Sequence, residues 1–331
     1  MAATLKDVAA RAGVSRSAVS RTFTDGASVS DKMRRKVEEA AQALGYRPNA
    51  LASSLTTGRT KLIGLVSDNF RNPIFLEVFD LFTRALQDSG LRPLLVNLSK
   101  ETDPEHSVRM LQQYSVDGVV VASSTLPVSF AQAFQDSGVP VVHAFGRLSG
   151  APRVHVVGID NVACGRMAAQ ALLARGYTRI GFLGGPETAT STQDRLAGFR
   201  SVLERRGVTF THSYASAYSF DAGRAEMLRL LDRGPAEVYF CGDDVLSIGA
   251  LSAIRDRALS VPGDIGIIGL NDMEMAGWEN IGLTTIRQPI KEIVTASVGV
   301  MEAMLSGEGE VPDMRVFSCE LVERGTLRPV P

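Results

Sequence analysis

Apolar positions in the first 45 residues recur at intervals of three and four, which is the pattern of short amphipathic helices. The stripe of the first helix consists of Leu5, Val8, Ala9 and Ala12. Thr4 is placed to cap this helix and Gly13 to end it. Ser15 is placed to cap a second helix over residues 16–23, and Ser30 a third. Short helices joined by a glycine-containing turn predict a helix-turn-helix domain.

From residue 61 onward, short apolar runs alternate with longer helical stretches. The strand-like runs span residues 62–66, 91–97, 118–122, 139–143, 154–159, 179–183, 236–241, 265–270 and 315–321. Strands that alternate with helices form parallel sheets with crossover helices. About 270 residues are long for one open sheet, so the pattern predicts an α/β core of two lobes, each with a parallel sheet.

The charge of the chain is unevenly distributed. The 331 residues carry a formal net charge of -1. Residues 1–60 contain ten basic and five acidic side chains, a net charge of +5, which leaves -6 for residues 61–331. A basic segment attached to a larger acidic body indicates nucleic acid or a membrane surface as the partner.

Several classes of protein are excluded by absent patterns. No apolar run approaches the roughly 18 residues of a spanning helix, and no apolar region of a secretory signal follows the N-terminal basic residues. Cys164, Cys241 and Cys319 are odd in number and widely spaced, which fits neither a disulfide framework nor a zinc site. We therefore expect a cytoplasmic protein without a membrane partner, whose cysteines are small buried hydrophobic residues.

Enzyme motifs are also missing. The glycines of GFLGGPETAT lack the spacing of a phosphate-binding or dinucleotide-binding loop, and no GxSxG elbow occurs. The histidines are His106, His143, His155 and His212, and they show no metal-ligand spacing. No catalytic residue, metal ligand or cofactor is predicted, and His143 at a strand end is expected to be structural or to contact a ligand.

Several segments resemble the lactose-repressor (LacI/GalR) family of bacterial transcription regulators. LKDVAARAGVSRSAVSR at 5–21 and YRPNALASSL at 46–55 carry the resemblance in the N-terminal part. In the core it is carried by NPIF at 72–75, DRLAGF at 194–199, CGDDVLSIGAL at 241–251, VPGDIGIIGLND at 261–272 and LTTIRQP at 283–289. The resemblance covers essentially the whole chain, and it implies a core similar to periplasmic binding proteins.

This resemblance also implies a division of the chain. Residues 1–46 would form the helix-turn-helix DNA-binding domain, 47–60 a hinge helix and linker, and 61–331 the effector-binding and dimerisation core. The N-terminal lobe would comprise about 61–160 and 290–317, and the C-terminal lobe about 161–289 and 318–331. Residues 50–55 are too few for a helix that is stable alone, so we expect the hinge to fold when paired on DNA.

The residues implied in DNA binding are Thr4, Leu5, Lys6, Arg16, Ser17, Ser20, Arg21, Asn49, Ala52, Ser53 and Leu55. Arg16 and Ser17 match base-reading positions at the start of the second helix, where an arginine can donate two bonds to guanine. A solvated arginine is the alternative. Leu55 matches a leucine that wedges into the minor groove, and packing on the core is its alternative. Two such domains imply a homodimer on a near-palindromic operator.

The residues implied in effector binding are Ile74, Phe75, Arg147, Ser191, Arg195, Tyr218, Asp243 and Asn271. Hydroxyl, amide and charged groups beside aromatic rings favour a sugar or polyol, and a nucleobase is the alternative. Asp243 and Asn271 depart from the family pattern, and the altered HAFGR segment at 143–147 leaves the contact of Arg147 open. Asp244 is as suited to capping a helix as to binding a ligand, and Trp278 is expected at a lobe edge.

A repressor controlled by this effector is the function that the sequence predicts. A sugar-binding protein or a sugar-phosphate enzyme is the alternative from another class. Neither the identity of the effector nor the operator sequence follows from the residues.

Overall fold

The computed structural model describes residues 3–23, 27–47, 54, 58–98, 104–150, 152–309 and 311–331. The chain divides into two compact units, Met1–Lys61 and Leu62–Pro331. Most of the predicted hinge lies outside the described residues, so the exact domain boundaries stay predictions.

The described residues of the first unit include the helices α1 (Leu5–Ala12), α2 (Arg16–Thr22) and α3 (Asp31–Leu44). Thr4 and Asp7 form a capping box at α1, in which the Thr4 amide donates to Asp7 Oδ2 at 2.8 Å. These bonds lower the pKa of the exposed Asp7 carboxyl because they favour its charged form. The three helices meet around Val8, Val19 and Val37, which are fully buried.

Local sequence also sets the other helix ends of this unit. The Ser15 and Ser30 hydroxyls accept from backbone amides three residues on, at 3.2 Å and 3.4 Å. Gly13 adopts φ +59° after α1, a left-handed conformation that glycine tolerates without a steric penalty. The predicted caps and helices of the helix-turn-helix domain are therefore confirmed, with α2 ending at Thr22.

In its described residues the second unit contains two six-stranded sheets. The first sheet has the order β11-β5-β4-β3-β1-β2, and all its pairs are parallel. Its strands are β1 (Leu62–Ser67), β2 (Arg92–Asn97), β3 (Gly118–Ala122), β4 (Val141–Ala144), β5 (His155–Ile159) and β11 (Met314–Phe317). The helices of this lobe are α4 (Ile74–Asp88), α5 (Pro104–Gln113), α6 (Val128–Asp136) and α11 (Ile290–Ser306).

The second sheet has the order β12-β10-β9-β8-β6-β7. Its strands are β6 (Ile180–Gly184), β7 (Phe210–Tyr214), β8 (Val238–Cys241), β9 (Gly266–Asn271), β10 (Thr285–Arg287) and β12 (Glu320–Val322). The helices are α7 (Asn161–Ala174), α8 (Thr190–Arg205), α9 (Phe220–Asp232), α10 (Asp244–Asp256) and a 3-10 turn (Glu274–Gly277). β12 runs antiparallel to β10, while the other pairs are parallel.

In its described part, the chain passes between the two sheets three times, after β5, after β10 and between β11 and β12. These three connectors join the lobes. Since the carboxyl ends of parallel strands face the cleft between such lobes, ligands are expected there.

The two-lobed α/β fold is confirmed, but one predicted strand was wrong and two strands were missed. The run 315–321 is two strands that belong to different sheets, because the chain crosses between the lobes at Ser318 and Cys319. β7 and β10 were not predicted. β7 has exposed positions at Thr211 and His212, and β10 has only three residues, so neither forms a clear apolar run.

Among the described residues, no helix is long and apolar enough to cross a membrane. The same part of the chain contains no cluster of metal-ligating side chains.

Candidate DNA-reading helix and interlobe cleft

Helix α2 presents its first residues to solvent. Arg16 and Ser17 are exposed, while Ala18 and Val19 are buried against the rest of the unit. Ser17 shares a 2.9 Å hydrogen bond with the capping hydroxyl of Ser15. Arg16 forms no hydrogen bond or ion pair within the described part of the chain. Its guanidinium is thus available to an external acceptor.

The other predicted DNA contacts lie on α1 and later on α2. Thr4, Lys6 and Arg21 are exposed, and Leu5 and Ser20 are partly buried. Four further predicted contacts lie outside the described residues, namely Asn49, Ala52, Ser53 and Leu55.

Arg34 has a structural partner. Its Nη1 donates to the carbonyl of Thr22 at 3.1 Å, which satisfies a backbone acceptor at the end of α2. A positive charge there also interacts favourably with the helix dipole. This contact gives Arg34 a structural role at the end of α2.

Between the lobes lies a small cavity of about 20 Å³, which is lined by residues from both lobes. We call it the inner cavity, and its lining is Asn72, Ile74, Phe75, Val78, Ser124, Phe145, Ile159, Asn161, Arg195, Asp243, Asn271 and Gln288. The lining includes five of the eight predicted effector residues. A volume of this size holds about one water molecule, so the lining side chains of the two lobes lie close together.

Asp243 is the centre of the hydrogen bonds in the inner cavity. It caps α10 by accepting from the Val245 amide at 2.9 Å. Its other oxygen accepts from Asn72 Nδ2 and Asn271 Nδ2, both at 2.9 Å. Burial raises the pKa of the carboxyl, and these bonds with Arg195 oppose the shift. Gln288 extends the network by donating to Asn271 Oδ1 at 2.6 Å.

Arg195 is held by two partners on the C-terminal lobe. Its Nε donates to Asn161 Oδ1 at 2.8 Å, and its Nη1 donates to the Gly242 carbonyl. The hydrogen bond from Arg195 on α8 to Asn161 on α7 requires these two helices to pack closely. A Cβ at Gly165 would lie 2.0 Å from the Arg195 carbonyl, and one at Gly198 would lie 1.9 Å from the Val162 carbonyl. Glycine at these two positions therefore lets the helices approach closely.

A second, outer cavity of about 390 Å³ lies where the cleft reaches the β2 and β7 edges of the sheets. Its lining includes Asp68, Thr125 and Phe130 from one lobe and Thr188 and Tyr218 from the other. The Tyr218 hydroxyl shares hydrogen bonds with Thr192 at 2.7 Å and Ser191 at 3.0 Å. Tyr218 thus lines the outer cavity, and Ser191 lines neither cavity.

Contacts across the cleft hold the lobes together. Besides the Asn72–Asp243 bond, the Ser191 amide donates to the Ser124 carbonyl at 3.2 Å. Arg147 forms an ion pair with Asp194 at 2.5 Å. Arg147 therefore bridges the lobes and lines neither cavity.

Comparison with known proteins agrees with these features. Residues 4–49 match the family described as bacterial regulatory proteins, lacI family, and residues 169–327 match the periplasmic binding protein-like domain. The regulator DegA of Bacillus subtilis (strain 168) is 31% identical over 338 residues, which cover 100% of this chain and 99% of DegA. The chain belongs to the LacI family.

Two solved structures of similar proteins extend the comparison. A lac repressor dimer bound to operator and an anti-inducer is 26% identical, with a TM-score of 0.88, and the match covers 99% of this chain and 100% of that one. A complex of the transcriptional regulator CelR with cellobiose is 30% identical, with a TM-score of 0.73 and coverage of 98% and 99%. The predicted fold class and the resemblance to the LacI family are both confirmed.

Asp244 corrects one prediction for this LacI-family core. Its neighbour Asp243 caps α10, whereas Asp244 is fully buried and accepts from Thr285 Oγ1 at 2.5 Å and the Met273 amide at 2.9 Å. It lines neither cavity. Burial raises the pKa of its carboxyl to about 7. Asp244 thus links β10 to the segment after β9.

His143 is also structural. It is buried in β4, and its Nε2 lies 3.0 Å from the Ser123 carbonyl. Burial lowers the pKa of the imidazole to about 4, so the ring is neutral at neutral pH. Trp278 is about half exposed, beside Ile74 and Leu76 at the edge of the lobes, as expected for a lobe-edge residue.

The prediction missed several lining residues. Asn72 and Gln288 lie inside motifs that carry the family resemblance, and Phe145 lies in the altered HAFGR segment. Ser124 and Asn161 are each the second residue after a strand, β3 and β5 respectively. The position of Ser124 and Asn161 after parallel strands was the signal that could have identified them.

Proposed function

We propose that this LacI-family protein is a repressor whose operator affinity is controlled by a sugar or polyol bound between the core lobes. The observation that carries the proposal is the network on Asp243, which receives hydrogen bonds from both lobes. A ligand that replaces these donors changes how the lobes are held together. In this proposal, one chain combines the exposed helix α2, which reads DNA, with a contact between the core lobes that responds to the ligand.

Arg16 and Ser17 are the proposed base-reading residues. Arg16 is exposed, unpaired within the described residues, and at the N-terminus of the second helix of a helix-turn-helix domain, where base edges are read. Ser20 and Arg21 follow on the same helix, and Thr4, Leu5 and Lys6 are proposed as further DNA contacts at α1. In this proposal Arg16 selects a guanine by two hydrogen bonds in each half-site.

The proposed hinge residues are Asn49, Ala52, Ser53 and Leu55. They follow the family pattern in sequence, and Leu55 is proposed to wedge into the minor groove at the operator centre. The similar lac repressor structure is a dimer on its operator. By the same symmetry, this protein is proposed to bind a near-palindromic site as a homodimer. A regulator of this kind acts in the cytoplasm, on the nucleoid when it is bound to DNA.

The proposed effector residues divide into two groups. Ile74 and Phe75 offer apolar faces, and Arg195, Asp243 and Asn271 offer hydrogen bonds. Ser191, Tyr218 and Arg147 are proposed to contact the part of the ligand nearer the outer cavity. Apolar faces opposite amide and carboxylate groups suit a polyhydroxylated molecule. The similar CelR structure holds cellobiose, which favours a sugar over a nucleobase. The proposal includes no enzymatic activity.

A thermal-shift screen tests the effector class. The full-length protein is heated with cellobiose, glucose, ribitol, xylitol, adenine and guanine in turn, because a ligand that binds the folded state raises Tm by mass action. We expect a sugar or polyol to raise Tm in the wild type and not in Asp243→Ala. Glu279→Ala, at an exposed position outside both cavities, is the matched control. A shift with a nucleobase alone would contradict the sugar assignment.

A further inference from the structure

The outer cavity is much larger than the inner cavity. Its volume of about 390 Å³ lies within the range of about 300–1,000 Å³ that small-molecule sites occupy. The inner cavity of about 20 Å³ contains the Asp243 network and holds about one water molecule. A ligand that binds at Asp243 therefore has room to extend into the outer cavity.

The two cavities adjoin at a contact between the lobes. Ser124 lines the inner cavity, and the next residue, Thr125, lines the outer cavity. The Ser124 carbonyl accepts from the Thr190 hydroxyl at 3.1 Å and from the Ser191 amide at 3.2 Å. Ala189, which precedes Thr190, also lines the outer cavity. These two bonds lie at the boundary, so a ligand that displaces them occupies both cavities.

Asp68 gives the outer cavity a carboxylate that is held in place. It directly follows β1, and Ser123 Oγ donates to its Oδ1 at 2.8 Å while Thr125 Oγ1 donates to its Oδ2 at 2.7 Å. Ser123 in turn accepts from the amides of Thr125 and Leu126, both at 3.1 Å. Since an ionised carboxylate has about four acceptor positions, Asp68 can accept two further hydrogen bonds. Two neighbouring hydroxyl groups of a sugar ring would supply them.

The outer cavity also offers a fixed aromatic surface. Phe130 and Tyr218 both line it. A Cβ at Gly185 would lie 2.3 Å from Cζ of Tyr218, so the absence of a side chain at Gly185 lets the ring pack directly on the backbone. The hydroxyl and amide groups in the same lining include those of Asn69, Thr188 and Ser216. Aromatic surface beside such groups suits the apolar and polar faces of a sugar ring.

The charges of the two cavities favour a neutral ligand. Among its described lining residues, the outer cavity has one acidic side chain, Asp68, and no basic one. In the inner cavity, Arg195 gives its hydrogen bonds to Asn161 and to the Gly242 carbonyl, and Asp243 supplies a negative charge. A phosphate or carboxylate group on the ligand would therefore meet no free cation among the described residues that line either cavity.

We propose that the effector is a neutral disaccharide that spans both cavities, with one ring on the Asp243 network and the other on Asp68 in the outer cavity. This inference rests on the proposed function, in which a sugar or polyol between the lobes controls operator affinity. It adds the size and charge of the ligand and a second set of contacts. Entry of the ligand breaks the bonds from Thr190 and Ser191 to Ser124, and the ligand then replaces this contact between the lobes.

Isothermal titration calorimetry with the full-length protein tests the size and the charge of the ligand. The disaccharide probes are cellobiose, gentiobiose, maltose, trehalose, lactose and sucrose. Glucose, galactose and fructose are their component monosaccharides, and glucose 6-phosphate is the charged probe. We expect at least one disaccharide to bind about tenfold more tightly than each of its components, because the second ring adds hydrogen bonds to a carboxylate. Glucose 6-phosphate should bind no more tightly than glucose.

Thr188→Trp and Asp68→Ala separate the outer cavity from the inner one. Thr188 is an exposed lining residue, so a tryptophan there should fill part of the outer cavity. In each variant Kd for the tightest-binding disaccharide should rise about tenfold, while Kd for its component monosaccharide stays unchanged. Glu187→Trp, at the neighbouring exposed position outside both cavities, is the matched control and should keep the wild-type values.

The outcomes distinguish this inference from the proposed function. A monosaccharide that binds as tightly as every disaccharide, with Kd unchanged in Thr188→Trp, would overturn the inference and leave the sugar effector standing. Equal losses for both sugars in Asp68→Ala would show that Asp68 supports the fold and does not contact the second ring. Tighter binding of glucose 6-phosphate than of glucose would contradict the neutral ligand. If no disaccharide bound, the inference would be wrong, and binding of a nucleobase alone would overturn the proposed function as well.

Discussion

The DNA-reading helix and the interlobe cleft hold their functional side chains in opposite ways. Arg16 is exposed, and no residue in the described part of the chain restrains it. Arg195 is 3% exposed and gives its hydrogen bonds to Asn161 and Gly242. Substitution of Arg16 should therefore leave the stability of the fold unchanged, whereas substitution of Arg195 should lower it. In the proposed roles of these two arginines, recognition of DNA is separable from stability and recognition of the effector is not.

The largest expected effect separates these two arginines. Arg195→Ala leaves the buried Asn161 carboxamide oxygen and the Gly242 carbonyl without a donor, so the free energy of unfolding should fall by about 3 kcal/mol. Urea denaturation followed by circular dichroism measures it. Arg200→Ala, five residues further along α8 and exposed, should cost less than about 1 kcal/mol. If both variants lost the same free energy of unfolding, the buried hydrogen bonds of Arg195 would not be what stabilises the fold.

Asp244→Asn should change the pH dependence of stability by a comparable amount. The folded pKa of about 7 lies above the ordinary value of 3.8. The folded state therefore binds this proton more tightly, and the wild type loses stability as the pH rises from about 4 to about 7. The variant lacks this loss. Its advantage should grow across that window, on the order of 3 kcal/mol at its upper end.

Urea titrations at several pH values measure the difference between the two proteins. His143 has a lowered pKa of about 4 and acts in the opposite direction, but it does so equally in both proteins and cancels in the difference. A difference that does not vary with pH would show that Asp244 is not protonated in the folded state.

A smaller effect is expected at the contact between the lobes. Asn72→Ala removes one donor to the buried Asp243 carboxylate and should cost about 1–2 kcal/mol. It should also enlarge the radius of gyration measured by small-angle X-ray scattering, because one bond that closes the cleft is lost. Arg147→Ala removes a partly exposed ion pair and should have the weaker effect on both quantities. Larger effects of Arg147→Ala than of Asn72→Ala would show that the ion pair of Arg147, and not the network on Asp243, is the main contact between the lobes.

Arg16→Ala should have the smallest effect on folding, within about 0.5 kcal/mol. The substitution should instead affect DNA recognition. The preference for one base pair in each half-site, worth about 1–3 kcal/mol, should disappear. Selection from a random duplex library followed by sequencing measures the preference. Arg11→Ala, an exposed arginine in the last turn of α1, is the control and should keep it.

The reason the reading domain was predictable is that its determinants are local. Thr4, Ser15 and Ser30 cap helices within three residues of themselves, and Gly13 needs only its own backbone conformation. Such contacts join residues that are close together in the sequence, so the sequence pattern predicts them. The same holds for the buried strands of the core, whose apolar runs are continuous.

The cleft was less predictable because its contacts join distant segments. That residues 315–321 split between two sheets depends on where the chain crosses, which an apolar run does not record. Asp243 and Asp244 are adjacent, yet only their partners, Asn72 and Thr285, show which one lines the inner cavity.

The central claim is that occupancy of the cleft changes affinity for DNA. Its most direct test measures the dissociation constant for the duplex selected above by fluorescence anisotropy, with and without the sugar or polyol that raises Tm. We expect the constant to change by about tenfold in the wild type, within the usual range of allosteric coupling, and to stay constant in Asp243→Ala. The same dissociation constant with and without ligand in the wild type would contradict the account.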